Sequence, residues 1–280
     1  MLLERGDVAP DTADKDGRTL LSWAAGLGHG EIVKMLLERE DVAPDTADKD
    51  GRTPLSWATE NRRGDIVKML LKREDVIPNI VDRDGRTPLL WAAENRRGDI
   101  VKMLLEREDL IPNTASKDGR TPLLWAAGGG RGDIVRMLLE REDLTPNTED
   151  KGGRTPLSWA AENGYEGVVK MLLEREDITP ETADKDGRTA LLWAAERGHI
   201  RVEEMLLERC SAGQDIAITG LTGQTAFIRT TEKQHGGAVK RRLGDWGSIP
   251  QSGGSDRSID LFPAELSGSP QPPPKRVRRS

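Results

Sequence analysis

Residues 48 to 81 read DKDGRTPLSWATENRRGDIVKMLLKREDVIPNIV, a stretch that divides into a turn, a short helix, a second turn, a second helix and a closing loop. Thr53 followed by Pro54 marks a helix start, because the hydroxyl can accept an orphan backbone N–H and proline loses nothing at the first helical position. Leu55, Trp57, Ala58 and Thr59 fill that helix. A second helix is predicted from about Asp65 through Lys72, with Ile66, Val67, Met69, Leu70 and Leu71 covering one side. Asp65 in its first turn complements the helix dipole. Pro78 and Asn79 then end it and lead to the next turn.

The stretch is one of a series. Tryptophan stands at 23, 57, 91, 125, 159 and 193, so every gap is 34, and Arg18, Arg52, Arg86, Arg120, Arg154 and Arg188 of Gly-Arg-Thr keep step. The Met of Met-Leu-Leu follows at 35, 69, 103, 137, 171 and 205. A fixed period of this length signals a stacked array. Two helices so short cannot offset the entropy of ordering their own unit, so stacking on neighbours is obligatory. Aromatics are only 4% of the chain, as expected of a core one repeat thick filled by Leu, Ala and Met.

The period, the T-P-L-x-x-A-A first helix and the V-x-x-L-L second helix resemble the ankyrin repeat, and the R-E-D-V-x-P-N-T connector resembles the variant common in fungal ankyrin arrays. The resemblance covers roughly residues 1 to 243 and implies an all-α solenoid of helix-turn-helix units joined by hairpin loops. The organisation expected is a partial unit over 1–13, six repeats at 14–47, 48–81, 82–115, 116–149, 150–183 and 184–217, a degenerate capping repeat over 218–243, and a disordered tail over 244–280. Met1 aligns with Met35, so the chain opens inside a second helix, as a fragment or an internal start would. The cap keeps Gly223, Thr225, Ala226 and Phe227 of a first helix but has Arg229 in place of Trp, and Arg241-Arg242 in place of Met-Leu.

Departures from the family pattern set further expectations. The T-P-L-H histidine that ties neighbouring repeats is replaced by Ser22, Ser56, Leu90, Leu124, Ser158 and Leu192, so that link must be lost or substituted. The connector lacks the Gly that commonly closes the second helix. The Gly after the first helix survives at 28, 130, 164 and 198 but is Arg62 and Arg96 in two repeats, where either Asn61 and Asn95 take the left-handed turn or the turn changes. Gly128, Gly129 and Gly130 should fray the first helix of the fourth repeat. The Trp series, at an apolar helical position, is expected to be buried between helices and not to form stacking platforms.

Charge and composition exclude several classes. Residues 1 to 228 carry 32 Lys and Arg against 43 Asp and Glu, net −11, while the remaining 52 residues are net +5. An acidic body argues against wrapping nucleic acid. A single cysteine, Cys210, forms no internal disulfide, and no signal peptide or membrane span is apparent, so a cytoplasmic or nuclear location and no membrane association are expected. Only His29, His199 and His235 are present, with no H-E-x-x-H and no G-x-x-x-x-G-K-S/T, so no catalytic residue, metal or cofactor is predicted. Arg-Gly-Asp recurs at 63–65, 97–99 and 131–133, always at a turn into a second helix, which makes it scaffold and not an adhesion signal.

What the resemblance implies is recognition of a protein partner by a monomer, through a concave surface of turn tips and first helices. The residues carried onto that surface are Lys49, Asp50, Arg52, Arg83, Asp84, Arg86, Lys117, Asp118, Arg120, Lys151, Arg154, Lys185, Asp186 and Arg188. A second contact surface is read from the basic ridge Arg62, Arg63, Arg96, Arg97 and Arg131, and a nuclear import signal from Lys275, Arg276, Arg278 and Arg279 after three prolines. Two other readings are a recognition arm of a larger fungal NACHT-like or lipase-like signalling protein, and an unrecognised enzyme.

Overall fold

The computed structural model describes residues 11–210, 216–219 and 225–228. Each of the six repeats contributes a helix pair: α1 Leu20–Leu27 and α2 Gly30–Leu37, α3 Pro54–Glu60 and α4 Gly64–Leu71, α5 Pro88–Glu94 and α6 Gly98–Leu105. They continue as α7 Pro122–Gly128 and α8 Gly132–Leu139, α9 Pro156–Glu162 and α10 Glu166–Leu173, α11 Ala190–Arg197 and α12 Ile200–Cys210. First helices pack on first helices of adjacent repeats, second helices on second helices, and each pair on itself, giving two layers.

Sequence explains these boundaries. Thr53 sits in extended conformation at φ −86° and its Oγ1 accepts the Ser56 N–H at 3.3 Å, with Pro54 at the first helical position. The same cap recurs at Thr19, Thr87, Thr121, Thr155 and Thr189. Between the layers lie Leu55, Leu89, Ala92, Val67, Val101, Leu70 and Leu104, all fully buried. Where the family histidine is missing, the serines at 22, 56 and 158 turn inward and bond the capping threonine of their own repeat, and Leu90, Leu124 and Leu192 are buried.

Four expectations need correction. Thr225 does not open a helix: Thr225–Ile228 is a strand, β2, antiparallel to β1 at Ile216–Thr219, with Ala217 opposite Phe227. The rest of the capping unit, the tail over 244–280, its basic cluster Lys275 to Arg279 and residues 1–10 of the partial unit lie outside the described residues. Asn61 and Asn95 keep negative φ, −88° and −79°, and it is Arg62 and Arg96 themselves that adopt φ 62°. The backbone of the turn demands that conformation, which Gly28, Gly130, Gly164 and Gly198 meet without a Cβ, so each arginine is strained by about 1 kcal/mol. The triple glycine does not shorten α7, which ends at the same repeat position as α3, α5 and α9. The tryptophans are buried only in part: Trp91 and Trp193 are 8% and 4% exposed, and Trp57 and Trp159 lie against the preceding first helix beside Gly26 and Gly128, but Trp23 is 41% exposed, and the rings also lie against the turn.

The second helices end without a left-handed cap: Glu38, Lys72, Glu106, Glu140 and Glu174 remain right-handed. Arginines of the following connector satisfy the exposed carbonyls instead. Arg107 reaches back one repeat, Nη1 donating to the carbonyls of Leu71 at 3.4 Å and Arg73 at 3.2 Å, and Nη2 to Val76 at 3.2 Å. Its own Asp109 clamps the guanidinium with two bonds of 2.9 Å. Arg73, Arg141 and Arg175 repeat the arrangement with Asp75, Asp143 and Asp177. These staples, with an asparagine ladder, replace the histidine link.

In that ladder, Asn79 accepts the Ile111 N–H at 2.8 Å and donates to the Asp109 carbonyl at 2.7 Å, and Asn113 and Asn147 do the same one repeat on. Asp45 occupies the equivalent place. Its Oδ2 accepts the Ile77 N–H at 2.7 Å, but Oδ1, where asparagine has its NH2, is buried without a partner. Burial raises the Asp45 pKa; Asp75 adds to the rise, and the Ile77 N–H, Arg107 and Arg73 oppose it. Asp45→Asn should therefore stabilise the array by about 1 kcal/mol at neutral pH, one gained hydrogen bond. Because the folded-state pKa is raised, the wild-type side chain's contribution is full below its unfolded pKa and is lost as pH rises through the folded one. Urea unfolding should thus show the mutant's advantage shrinking toward about pH 4; an advantage independent of pH would rule out this account.

Candidate functional site

In five of the six repeats one aspartate builds the turn tip. Asp48 Oδ1 accepts the N–H groups of Asp50 and Arg52, both at 2.9 Å, and Oδ2 accepts the Trp57 Nε1–H at 3.0 Å. Asp14, Asp82, Asp150 and Asp184 hold Trp23, Trp91, Trp159 and Trp193 in the same way. Tips are also tied to one another through the backbone: the N–H of Lys49, Arg83, Lys117, Lys151 and Lys185 donates to the carbonyl of Asp16, Asp50, Asp84, Asp118 and Gly152. Burial of the Trp ring thus comes with a satisfied indole N–H.

The tip residues named from the sequence divide into two groups. Lys49, Asp50, Arg83, Asp84, Lys117, Asp118, Lys151, Lys185 and Asp186 are exposed, forming a row of alternating charge on a backbone fixed by the tip-to-tip bonds. Arg83 also pairs with Asp50 of the preceding tip at 3.3 Å. Arg52, Arg86, Arg120, Arg154 and Arg188 are half-buried and lie over tryptophan faces. Arg154 lies 4.6 Å from the centroid of Trp159 and 3.8 Å from that of Trp193, so one guanidinium bridges two repeats. Arg18, Arg52 and Arg120 likewise contact two rings each.

A glutamate at the end of the first helix completes this stack, as in Arg52–Glu60 at 2.9 Å and Arg188–Glu196 at 3.5 Å. The first and fourth repeats are exceptions, since Gly26 and Gly128 stand where the glutamate would be; in the fourth, Ser116 also stands where the aspartate would be, and Trp125 Nε1 has no hydrogen-bond acceptor among the described residues. Sequence reading placed these arginines correctly at the turn and missed their partners. The signal was available in the fixed spacing of Asp, Arg and Trp.

At the opposite end of each first helix, Arg62, Arg63, Arg96, Arg97 and Arg131 occupy successive turns into α4, α6 and α8. A cavity of about 410 Å³ opens along the helix-to-helix turns of the first three repeats, from Gly28 and Gly30 to Arg97, lined by Arg62, Arg63, Lys68, Asp65 and Asp99 among others. Arg97 is clamped to Asp99 through Nε at 2.8 Å, which raises its pKa and lowers that of Asp99, and it donates to the Arg62 carbonyl. The second Arg-Gly-Asp is therefore paired within itself. Among the described residues there is no cluster of His, Cys, Asp or Glu fit to hold a metal, and no helix long and apolar enough to cross a membrane.

The profile of a family described as "Ankyrin repeats (3 copies)" matches in overlapping stretches, 1–82, 42–114, 74–150, 108–184 and 142–220. Among solved structures, the ankyrin repeat domain of Bcl-3, of the IkappaB protein family, is 27% identical with a TM-score of 0.65, covering 75% of this chain and 93% of its own. An ankyrin repeat protein, EF0377, is 27% identical with a TM-score of 0.64, covering 70% of this chain and 99% of its own. An ankyrin repeat domain from Acinetobacter baumannii AYE is 28% identical with a TM-score of 0.63, covering 68% and 97%. No curated protein matches the sequence.

Proposed function

The chain belongs to the ankyrin repeat family, and from that premise we propose that it is a non-enzymatic scaffold that binds a protein partner through its row of turn tips and the adjoining first helices. The observation that supports this reading is the exposed charge row, Lys49, Arg83, Lys117, Lys151 and Lys185 interleaved with Asp50, Asp84, Asp118 and Asp186, on a backbone held by inter-repeat hydrogen bonds. Such a row is pre-organised, so little ordering entropy is lost on binding, and charges of both signs set register and on-rate. Arg52, Arg86, Arg120, Arg154 and Arg188 act beneath it by fixing the tip geometry; their contribution to a partner is through position and not contact.

Affinity capture with the intact chain beside a variant carrying Lys49→Ala, Lys117→Ala, Lys151→Ala and Lys185→Ala tests the proposal. All four side chains are exposed, so the variant should melt with the wild type while losing the captured partner. A partner retained equally by both proteins would place binding elsewhere.

A further inference from the structure

We propose that the cleft along the helix-to-helix turns of the first three repeats is an anion site that takes a phosphorylated serine or threonine of a partner peptide. It stands apart from the turn tips, at the other end of the first helices. Four cations, Arg62, Arg63, Lys68 and Arg97, line it with two acids, Asp65 and Asp99, leaving two positive charges in a cavity of about 410 Å³. A phosphomonoester brings roughly −1.5 to −2 at neutral pH, which matches that excess; a single carboxylate matches half of it.

Apart from Arg97, which Asp99 clamps, the arginines of these turns differ from those of the connectors and the tips. Connector arginines are clamped to aspartates, and the arginines beneath the tips are stacked on tryptophans. Among the described residues, the guanidinium groups of Arg62, Arg96 and Arg131 have no ion pair, hydrogen bond or aromatic partner, and that of Arg63 has only a 3.4 Å bond to the Gly26 carbonyl. Arg62 and Arg96 moreover hold the left-handed conformation, φ 62°, that glycine supplies at the same point in four other repeats. Glycine would serve the backbone better, so what arginine adds is its charge.

The rest of the cleft suits an oxyanion. The first turn of α4 lines it, and its N-cap residue, Arg63, offers those amides no side-chain acceptor. Arg97, held in place by Asp99 and the Arg62 carbonyl, forms a fixed wall. Arg96 and Arg131 continue the positive track along neighbouring turns, where acidic residues flanking a phosphate would lie. An anionic membrane fits poorly, because Asp65, Asp99 and Asp133 are exposed beside the arginines and the body is net acidic.

Fluorescence anisotropy with the full chain tests this, using a labelled peptide with one phosphoserine flanked by glutamates, its unphosphorylated twin, and vesicles containing anionic phospholipid. The phosphopeptide should bind at least about tenfold more tightly than the twin, inorganic phosphate should compete, and salt should weaken binding. Arg62→Gly with Arg63→Ala should weaken it about tenfold without lowering the melting temperature, since glycine relieves the strained turn. Lys68→Glu, on an exposed face, should do the same and guards against a folding artefact. The four tip substitutions should leave phosphopeptide binding unchanged, which separates this site from the tip surface. Equal affinity for both peptides, stronger binding to vesicles, no binding, or indifference to the Arg62, Arg63 and Lys68 changes would each overturn the proposal.

Discussion

Replacing Arg107 by alanine should lower the stability of the array by about 3 kcal/mol, an effect comparable to emptying a core position although the residue belongs to a connector. The side chain is 19% exposed and donates to three carbonyls of the preceding repeat, one of them in the last turn of α4. A cation at a helix C-terminus also meets the negative end of its dipole. Bonds of 3.2 to 3.4 Å are long and Nη1 is shared between two carbonyls, so each is placed below the usual value for a charged donor, near 1 kcal/mol. Asp109 loses its partner too, but at 52% exposure water replaces the guanidinium and little is added.

The lost energy sits at one interface. In a stack stabilised by nearest-neighbour terms, weakening the contact between the second and third repeats should let the two ends unfold separately. Chemical denaturation followed by circular dichroism should therefore show a lower midpoint and a shallower apparent slope. Arg107→Lys tests the geometry: an ammonium cannot present the planar fork to several carbonyls, so less than half the loss should be recovered. A change below about 0.5 kcal/mol for alanine would mean that water caps α4 equally well.

These staples also mark the limit of reading the sequence. Apolar periodicity located every helix pair, because Val67, Leu70, Leu104 and their counterparts are apolar for the same reason that they are buried. Arg107 carries no such mark. Its partners lie 31 to 36 residues away, and an Arg-Glu-Asp run in a connector looks locally like a solvated turn. The tryptophan rings are only partly legible for a related reason: periodicity registers the ring and ignores the indole N–H, yet Asp48 and the arginine faces help to decide where the ring lies. At the tips, Lys49 and Arg52 are three residues apart and both basic. Only three dimensions separate the exposed one from the one laid over tryptophan.

Asp82→Ala should cost about as much as loss of the Arg107 staple, roughly 3 kcal/mol, for three donors left without an acceptor. Asp82 is 6% exposed; its Oδ1 accepts the Asp84 and Arg86 N–H groups at 2.9 Å, and its Oδ2 accepts the Trp91 Nε1–H at 3.2 Å. The fourth repeat allows the converse measurement. Ser116 keeps the backbone turn, with its N–H bonded to the Arg120 carbonyl at 3.0 Å and Gly119 bonded back at 2.8 Å, but Trp125 lacks an acceptor for its indole N–H. The turn therefore forms without the aspartate, and the loss in Asp82→Ala reflects unsatisfied donors more than a collapsed turn. Ser116→Asp should restore the bonds and raise stability by about 1 to 2 kcal/mol. The gain is smaller than the loss because Trp125 is more exposed than Trp91, and water already serves part of the need. Equilibrium unfolding of both variants decides it: if Asp82→Ala destabilises while Ser116→Asp changes nothing, the aspartate matters only where the ring is sealed from water, and the ladder's strength then varies along the array with tryptophan burial.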